Sequence, residues 1–156
     1  MNASRLIAGI GWFVLPWLAQ AAEPIAVQHV AAYAPGVGAT DLRTQCDWNT
    51  RLSEYIVKDA KGLAVVSDQD AAAVDGPYLS LTVTSAHAVG GGGFAGPTWA
   101  HVHGELHSHG KLVGSFDARN TTRRGWKACS AINIAARDMA EDIADWLHAP
   151  TLNATM

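Results

Sequence analysis

Hydrophobic and polar positions follow two rhythms along this chain, one of period two and one of helical period, and each is stopped by recognisable turn residues. From Ile25 to Tyr33 the residues are apolar and β-tolerant, and Ala34-Pro35-Gly36-Val37-Gly38 closes this first strand. Thr40 or Asp41 can then cap a helix. Leu42, Cys46, Asn49, Leu52 and Ile56 fall on one side at helical spacing, and Lys58, Lys61 and Gly62 supply a cationic last turn with a glycine just past it. The spacing predicts one helix from Asp41 to Ala60. Leu63-Ala64-Val65-Val66 reads as a short buried strand, reached by a crossover helix and therefore parallel to the first.

Beyond the polar connection from Ser67 to Pro77, the period of two takes over. Tyr78 to Val89 sets Leu79, Leu81 and Val83 against Ser80, Thr82 and Thr84, which gives a strand with one buried and one wet face. The glycines at 90 to 93 and Gly96-Pro97 make a loose hairpin connection. Thr98 to Ser108 returns with Ala100, Val102, Gly104 and Leu106 on one side and His101, His103, Glu105 and His107 on the other. A turn at His109-Gly110-Lys111 leads to Leu112–Thr121, which buries Leu112, Gly114, Phe116 and Ala118. A three-residue turn would set Gly104 opposite Phe116, whose ring could cover the missing side chain. The last element, Lys127 to His148, carries Cys129, Ile132, Ala136, Met139, Ile143 and Trp146 on one helical stripe, and Pro150 stops it. The expected fold is α+β: a five-stranded mixed sheet with two helices packed on one face, in the order β-α-β-β-β-β-α.

Ahead of these elements, Arg5 precedes an apolar run from Leu6 to Ala19, and Ala19-Gln20-Ala21 stands before Glu23-Pro24. The run matches the core of a secretory signal peptide, about 7–15 residues long, with small residues flanking a cut after Ala21. The expectation is a leader over 1–21 and a single domain over 22–156, exported to the periplasm or secreted. No later stretch approaches the roughly 18 apolar residues that span a bilayer, so no transmembrane segment is expected in the mature form. An oxidising, ATP-poor compartment argues against kinase-like or NAD-dependent chemistry. Eleven basic residues against 14 acidic ones give a net charge of −3. That balance disfavours nucleic acid and anionic membrane as bulk partners. The two cysteines, Cys46 and Cys129, both lie on core-facing stripes, and in an exported chain an even count favours one disulfide between them.

The dense cluster of chemically capable side chains is the strand His101-Val102-His103-Gly104-Glu105-Leu106-His107, with His109 just beyond it. Side chains two apart on a strand point the same way and lie about 6.6 Å apart, close enough for two imidazoles to converge on a metal. Glu105 or Asp117 on the next strand would complete a set, and the three-residue turn places Asp117 opposite His103. The possible cofactor is a divalent transition metal, Zn²⁺, Cu²⁺ or Ni²⁺. The competing reading is that these residues are only the wet face of an amphipathic strand. The His-x-His start is shared with metal-binding cupins, but the acid follows too soon for that motif. The glycine run lacks the Lys-Ser/Thr of a phosphate loop, and no Gly-x-Ser-x-Gly elbow occurs. Arg119, Arg123, Arg124 and Lys127 gather around the start of the last helix and could meet an anionic group, with cations on a solvated loop as the commoner reading. His29, His87 and His148 read as isolated, and Trp99 shares the exposed side of His101.

Gly62-Leu63-Ala64-Val65-Val66, the Tyr78–Thr84 alternation, the hairpin through Gly110 and the amphipathic last helix together resemble a broad group of uncharacterised exported bacterial proteins and lipoproteins of β-α-β-β-β-β-α order. Their distant relatives include the accessory lipoproteins that activate penicillin-binding proteins and the curli secretion component. The resemblance implies an accessory role and no catalytic residues. No cysteine follows the cleavage site, so lipid anchoring is not expected. The functional expectation is therefore a non-enzymatic binding or accessory domain of the bacterial envelope. Its partner, an envelope protein or a glycan, would meet the exposed sheet face at Trp99 or the Gly90–Pro97 loop that carries Phe94. The alternative is a metal-binding protein using the histidine ladder, extending to a metal-assisted hydrolase.

Overall fold

The structure, a computed structural model, describes residues 23–90 and 94–156; the expected leader and residues 91–93 of the glycine run lie outside the described residues. Its elements in chain order are β1 (Ile25–Gln28), β2 (Ala32–Tyr33), α1 (Thr40–Gln45), α2 (Trp48–Asp59), β3 (Ala64–Ser67), β4 (Tyr78–His87), β5 (Thr98–Ser108), β6 (Lys111–Thr122), α3 (Ala128–Leu147) and β7 (Ala154–Thr155). One mixed sheet runs β3-β1-β4-β5-β6-β7, with β2 continuing the line of β1 beside β4. β1 pairs in parallel with β3 and β4, β4-β5-β6 is an antiparallel meander, and β6 pairs in parallel with β7. The mixed α+β class stands as expected. Among the described residues, the expected five strands and two helices become seven strands and three α-helices.

Each difference has a local cause. The first strand splits because the backbone leaves β4 between His29 and Ala31, and polar side chains replace the lost ladder bonds. The Gln28 side chain accepts from the Leu81 N–H at 3.0 Å and donates to the Val30 carbonyl at 2.8 Å. Asn49 donates its amide to the Ala31 carbonyl at 3.0 Å, and the Ala31 N–H donates to the Asn49 carbonyl at 3.1 Å. The continuous helix expected over Asp41–Ala60 breaks at Cys46, whose backbone is extended. Asp47 then opens α2, accepting at its carbonyl from the N–H groups of Thr50 and Arg51.

Cys46 is bonded to Cys129 in the first turn of α3, with Cα atoms 5.2 Å apart. The expected bridge is present. β3 is parallel to β1 as expected but lies at the sheet edge, so Val65 and Val66 are exposed, contrary to the buried strand read from the sequence.

The core lies between the sheet and the helices. α2 presents Trp48, Leu52 and Ile56 at successive turns, and α3 presents Ile132, Met139 and Ile143, all fully buried against Val27, Leu79, Leu81, Val83, Val102 and Phe116. Burying each such aliphatic side chain stabilises the fold by about 1.5–3 kcal/mol relative to exposure. α2 also packs on α3, in which Ala135, Ala136 and Ala140 are small and fully buried. In this layer the Trp48 indole N–H donates to the Tyr33 hydroxyl at 2.6 Å.

The β5–β6 hairpin reaches the expected register by a different route. His109 and Gly110 both have positive φ and form a two-residue turn, so Ser108 pairs with Lys111. Val113 is then an extra residue, and the pairing shifts between Leu106 and His107. A tighter turn plus one bulged residue equals the three-residue turn, so Gly104 still faces Phe116 and His103 still faces Asp117. The bulge leaves Leu112 on the open face. It is 44% exposed, not buried as expected. After α3 the chain does not end in loop: Thr151 accepts from the Ser115 N–H at 3.0 Å and Ala154–Thr155 adds a short strand that the sequence pattern did not reveal.

Candidate functional site

The face of the sheet away from the helices carries the polar set of β4, β5 and β6. Its two ends are partly roofed. The connection with the short turn at Ala71–Ala73 covers Tyr78, whose hydroxyl donates to the Gln69 carbonyl at 3.3 Å. The segment after α3 covers Ser115, whose hydroxyl accepts from the Asn153 N–H at 2.9 Å. Between these roofs stand His101, His103, Glu105 and His107, all half-buried on one face as the period of two requires.

The ladder divides into three parts. His103 Nδ1 lies 2.9 Å from Asp117 Oδ1 on β6, and its Nε2 lies 3.6 Å from Glu105 Oε1. Both nitrogens of this ring thus face carboxylates. His101, by contrast, lies opposite Arg119, and its Nε2 is buried without a hydrogen-bond partner among the described residues. Burial first, and the Arg119 charge second, hold the His101 imidazole below the ordinary histidine range. His107 and His109 border a separate hollow of about 550 Å³ with Tyr78 and Asp75. Among the described residues no three His, Cys, Asp or Glu side chains converge as a metal would require.

Three rings stand in a row at the far end. Trp99 stacks on His87 across the strands, centroids 5.6 Å apart and planes 26° apart, and lies 5.5 Å from His101 on its own strand. His87 is therefore not isolated. Nor is His29, whose Nδ1 lies 2.6 Å from Asp68 Oδ1 at the other end of the sheet. Phe94, expected to share a partner surface with Trp99, is 99% exposed in the β4–β5 connection.

Sequence reasoning misplaced Arg119. It is a β6 residue on the open face, not a loop cation, and it borders a groove of about 510 Å³ with Thr84, His101, Asp117 and Thr155. The signal was available: the register that set Asp117 opposite His103 also sets Arg119 opposite His101. Arg124, also grouped with the loop cations, pairs with Asp138 of α3.

No protein-family model and no curated protein matches the sequence. Solved structures share the fold. PelC from Paraburkholderia phytofirmans, solved as a dodecamer, is similar with a TM-score of 0.52 at 20% identity, over 83% of this chain and 90% of PelC. A Xanthomonas campestris protein of a family of unknown function is similar with a TM-score of 0.52 at 13% identity, over 85% of this chain and 87% of its own. A hypothetical protein from Chlamydia trachomatis reaches 0.54 at 10% identity, over 83% of this chain and 98% of its own. At these identities the likeness is one of fold.

Proposed function

We propose that this chain is a non-enzymatic accessory domain of the bacterial envelope that binds a partner, an envelope protein or a glycan, on the open face of its sheet. The observation that carries the reading is the row His87–Trp99–His101, set beside a groove on a face that the helices leave uncovered. Stacked rings hold one another in place, so a partner meets a surface whose ordering cost is already met by the fold. Export to the periplasm or beyond is supported by the Cys46–Cys129 disulfide, a bond that persists in oxidising compartments. Among the described residues no helix is long and apolar enough to cross a membrane. The test is capture from envelope extract with the wild type and with Trp99→Ala, His101→Ala and His103→Ala combined. A partner kept by the first and lost by the second supports the reading, and its absence from both, or its retention by both, overturns it.

The second reading is a transition-metal site built on His103, whose neighbours Glu105 and Asp117 do not converge on one point as they stand and would have to turn toward the ion on binding. Imidazole must lose its proton to coordinate, so Zn²⁺ or Cu²⁺ binding would collapse between about pH 7.5 and 5.5. Titration of untagged protein with either ion separates the readings, because the triple variant would then lose metal as well as partner.

A further inference from the structure

The groove beside β6 has a charge pattern that the general binding-face reading does not explain. Arg119 is exposed and makes no ion pair with any described residue, although Asp117 stands two residues away on the same strand and face. Asp117 is turned instead toward His103, at 2.9 Å. The groove therefore holds one uncommitted guanidinium, one buried imidazole nitrogen without a partner among the described residues, the Thr155 hydroxyl, and the Thr84 hydroxyl, which donates to the His101 carbonyl at 3.4 Å and is left free to accept. Its volume, about 510 Å³, falls within the range of small-ligand sites, about 300–1,000 Å³.

The backbone around it is already used. The Arg119 N–H donates to the Met156 carbonyl at 2.8 Å and the Met156 N–H donates to the Asp117 carbonyl at 3.1 Å, while the other edge of β6 is paired with β5. The free edge beside it is that of β7, two residues long and too short for an extended peptide to build a ladder on. A ligand in the groove is therefore read mainly by side chains, through one planar fork suited to a carboxylate and several groups suited to hydroxyls.

We propose, building on the binding-face reading above, that this groove takes a uronic acid unit of a saccharide, with Arg119 holding the carboxylate and Thr84, Asp117 and Thr155 meeting the ring hydroxyls. A neutral sugar would leave the guanidinium unanswered, and an acidic peptide would leave the hydroxyl-binding groups unanswered.

The experiment is calorimetric titration of the purified protein at low salt with trigalacturonate, its neutral galactose counterpart and tetraglutamate. Trigalacturonate should bind at least about tenfold more tightly than the other two, a difference of about 1.4 kcal/mol. Arg119→Gln should weaken it by about tenfold or more, and Arg119→Lys, which keeps the charge but not the fork, by less. Arg119 is exposed, so unchanged melting should accompany these losses.

Equal binding of the neutral sugar, preference for tetraglutamate, no binding of trigalacturonate, or indifference to Arg119→Gln would each overturn the proposal. Envelope capture is measured alongside. If capture survives Arg119→Gln and trigalacturonate does not bind, the sugar assignment fails alone; if capture is also indifferent to the triple variant, the wider reading fails with it.

Discussion

His101 shows how one position can be legible in type and illegible in environment. Its place on the wet face follows from the alternation of β5, yet its neighbour Arg119 and its buried nitrogen depend on register and packing that no local pattern carries. The consequence can be measured. Burial and the Arg119 charge hold the folded-state pKa below the ordinary value of about 6.5, so as pH falls the unfolded chain takes up this proton before the folded one does. The stability this group permits is present above about pH 6.5 and is lost as pH falls through the lower folded-state value. Denaturant midpoints should therefore drop between about pH 7.5 and 5, and His101→Gln should drop less over the same window. Parallel curves for the two proteins would mean that His101 is solvated like a free histidine. Gly104 is the opposite case, fully legible. The sequence pairs a core-facing glycine with Phe116, and in the structure a Cβ at Gly104 would collide with the Phe116 ring.

Elements were read well where periodicity was long and poorly where polar side chains substitute for the ladder. β5 ends where the alternation ends, and α3 stops one residue short of His148. The split between β1 and β2 was hidden because the partners that repair it, Asn49, Ser53 and, for the Gln28 side chain, Leu81, are distant in sequence; the Ser53 hydroxyl donates to the Gln28 carbonyl at 2.6 Å. β7 was missed because two residues carry no period. The hairpin offers a sharper test, since its register was right although its turn was wrong. Val113 is the surplus residue between two stretches that already alternate consistently, Leu112 outward and Gly114 inward. Deleting Val113 should leave a regular hairpin with Gly104 still under Phe116, and the protein should still unfold cooperatively near the wild-type midpoint. Deleting Asp117, beyond Phe116, moves Ala118 to the wet face, or Phe116 if the bulge absorbs the change, and no cooperative transition near the wild-type midpoint should remain. If both deletions behave alike in chemical denaturation, the bulge does not set the register.

The whole molecule is held from its helical side. Cys46 lies at the break between α1 and α2, and Cys129 opens α3, so the bridge ties together the two helical segments that cover the core, across a sequence separation of 83. The hydrophobic layer between α2, α3 and the sheet is continuous without it, which places the bridge's effect mainly on the unfolded chain. A closed loop of that length removes denatured-state entropy of about 4–5 kcal/mol in the loop-closure account. Cys46→Ser with Cys129→Ser should therefore lower the unfolding free energy by several kcal/mol in denaturant titration while leaving the native far-ultraviolet spectrum unchanged. The open face should be untouched, because the residues of the His87–Trp99–His101 row and of the Arg119 groove are borne by β4, β5, β6 and β7, with Met156 directly after β7, on the side away from the bridge. Under conditions where the double variant stays folded, it should bind its partner as the oxidised protein does. A loss of binding with the fold intact would show that the helical layer sets the geometry of the sheet face, and that the two sides of the molecule are mechanically coupled.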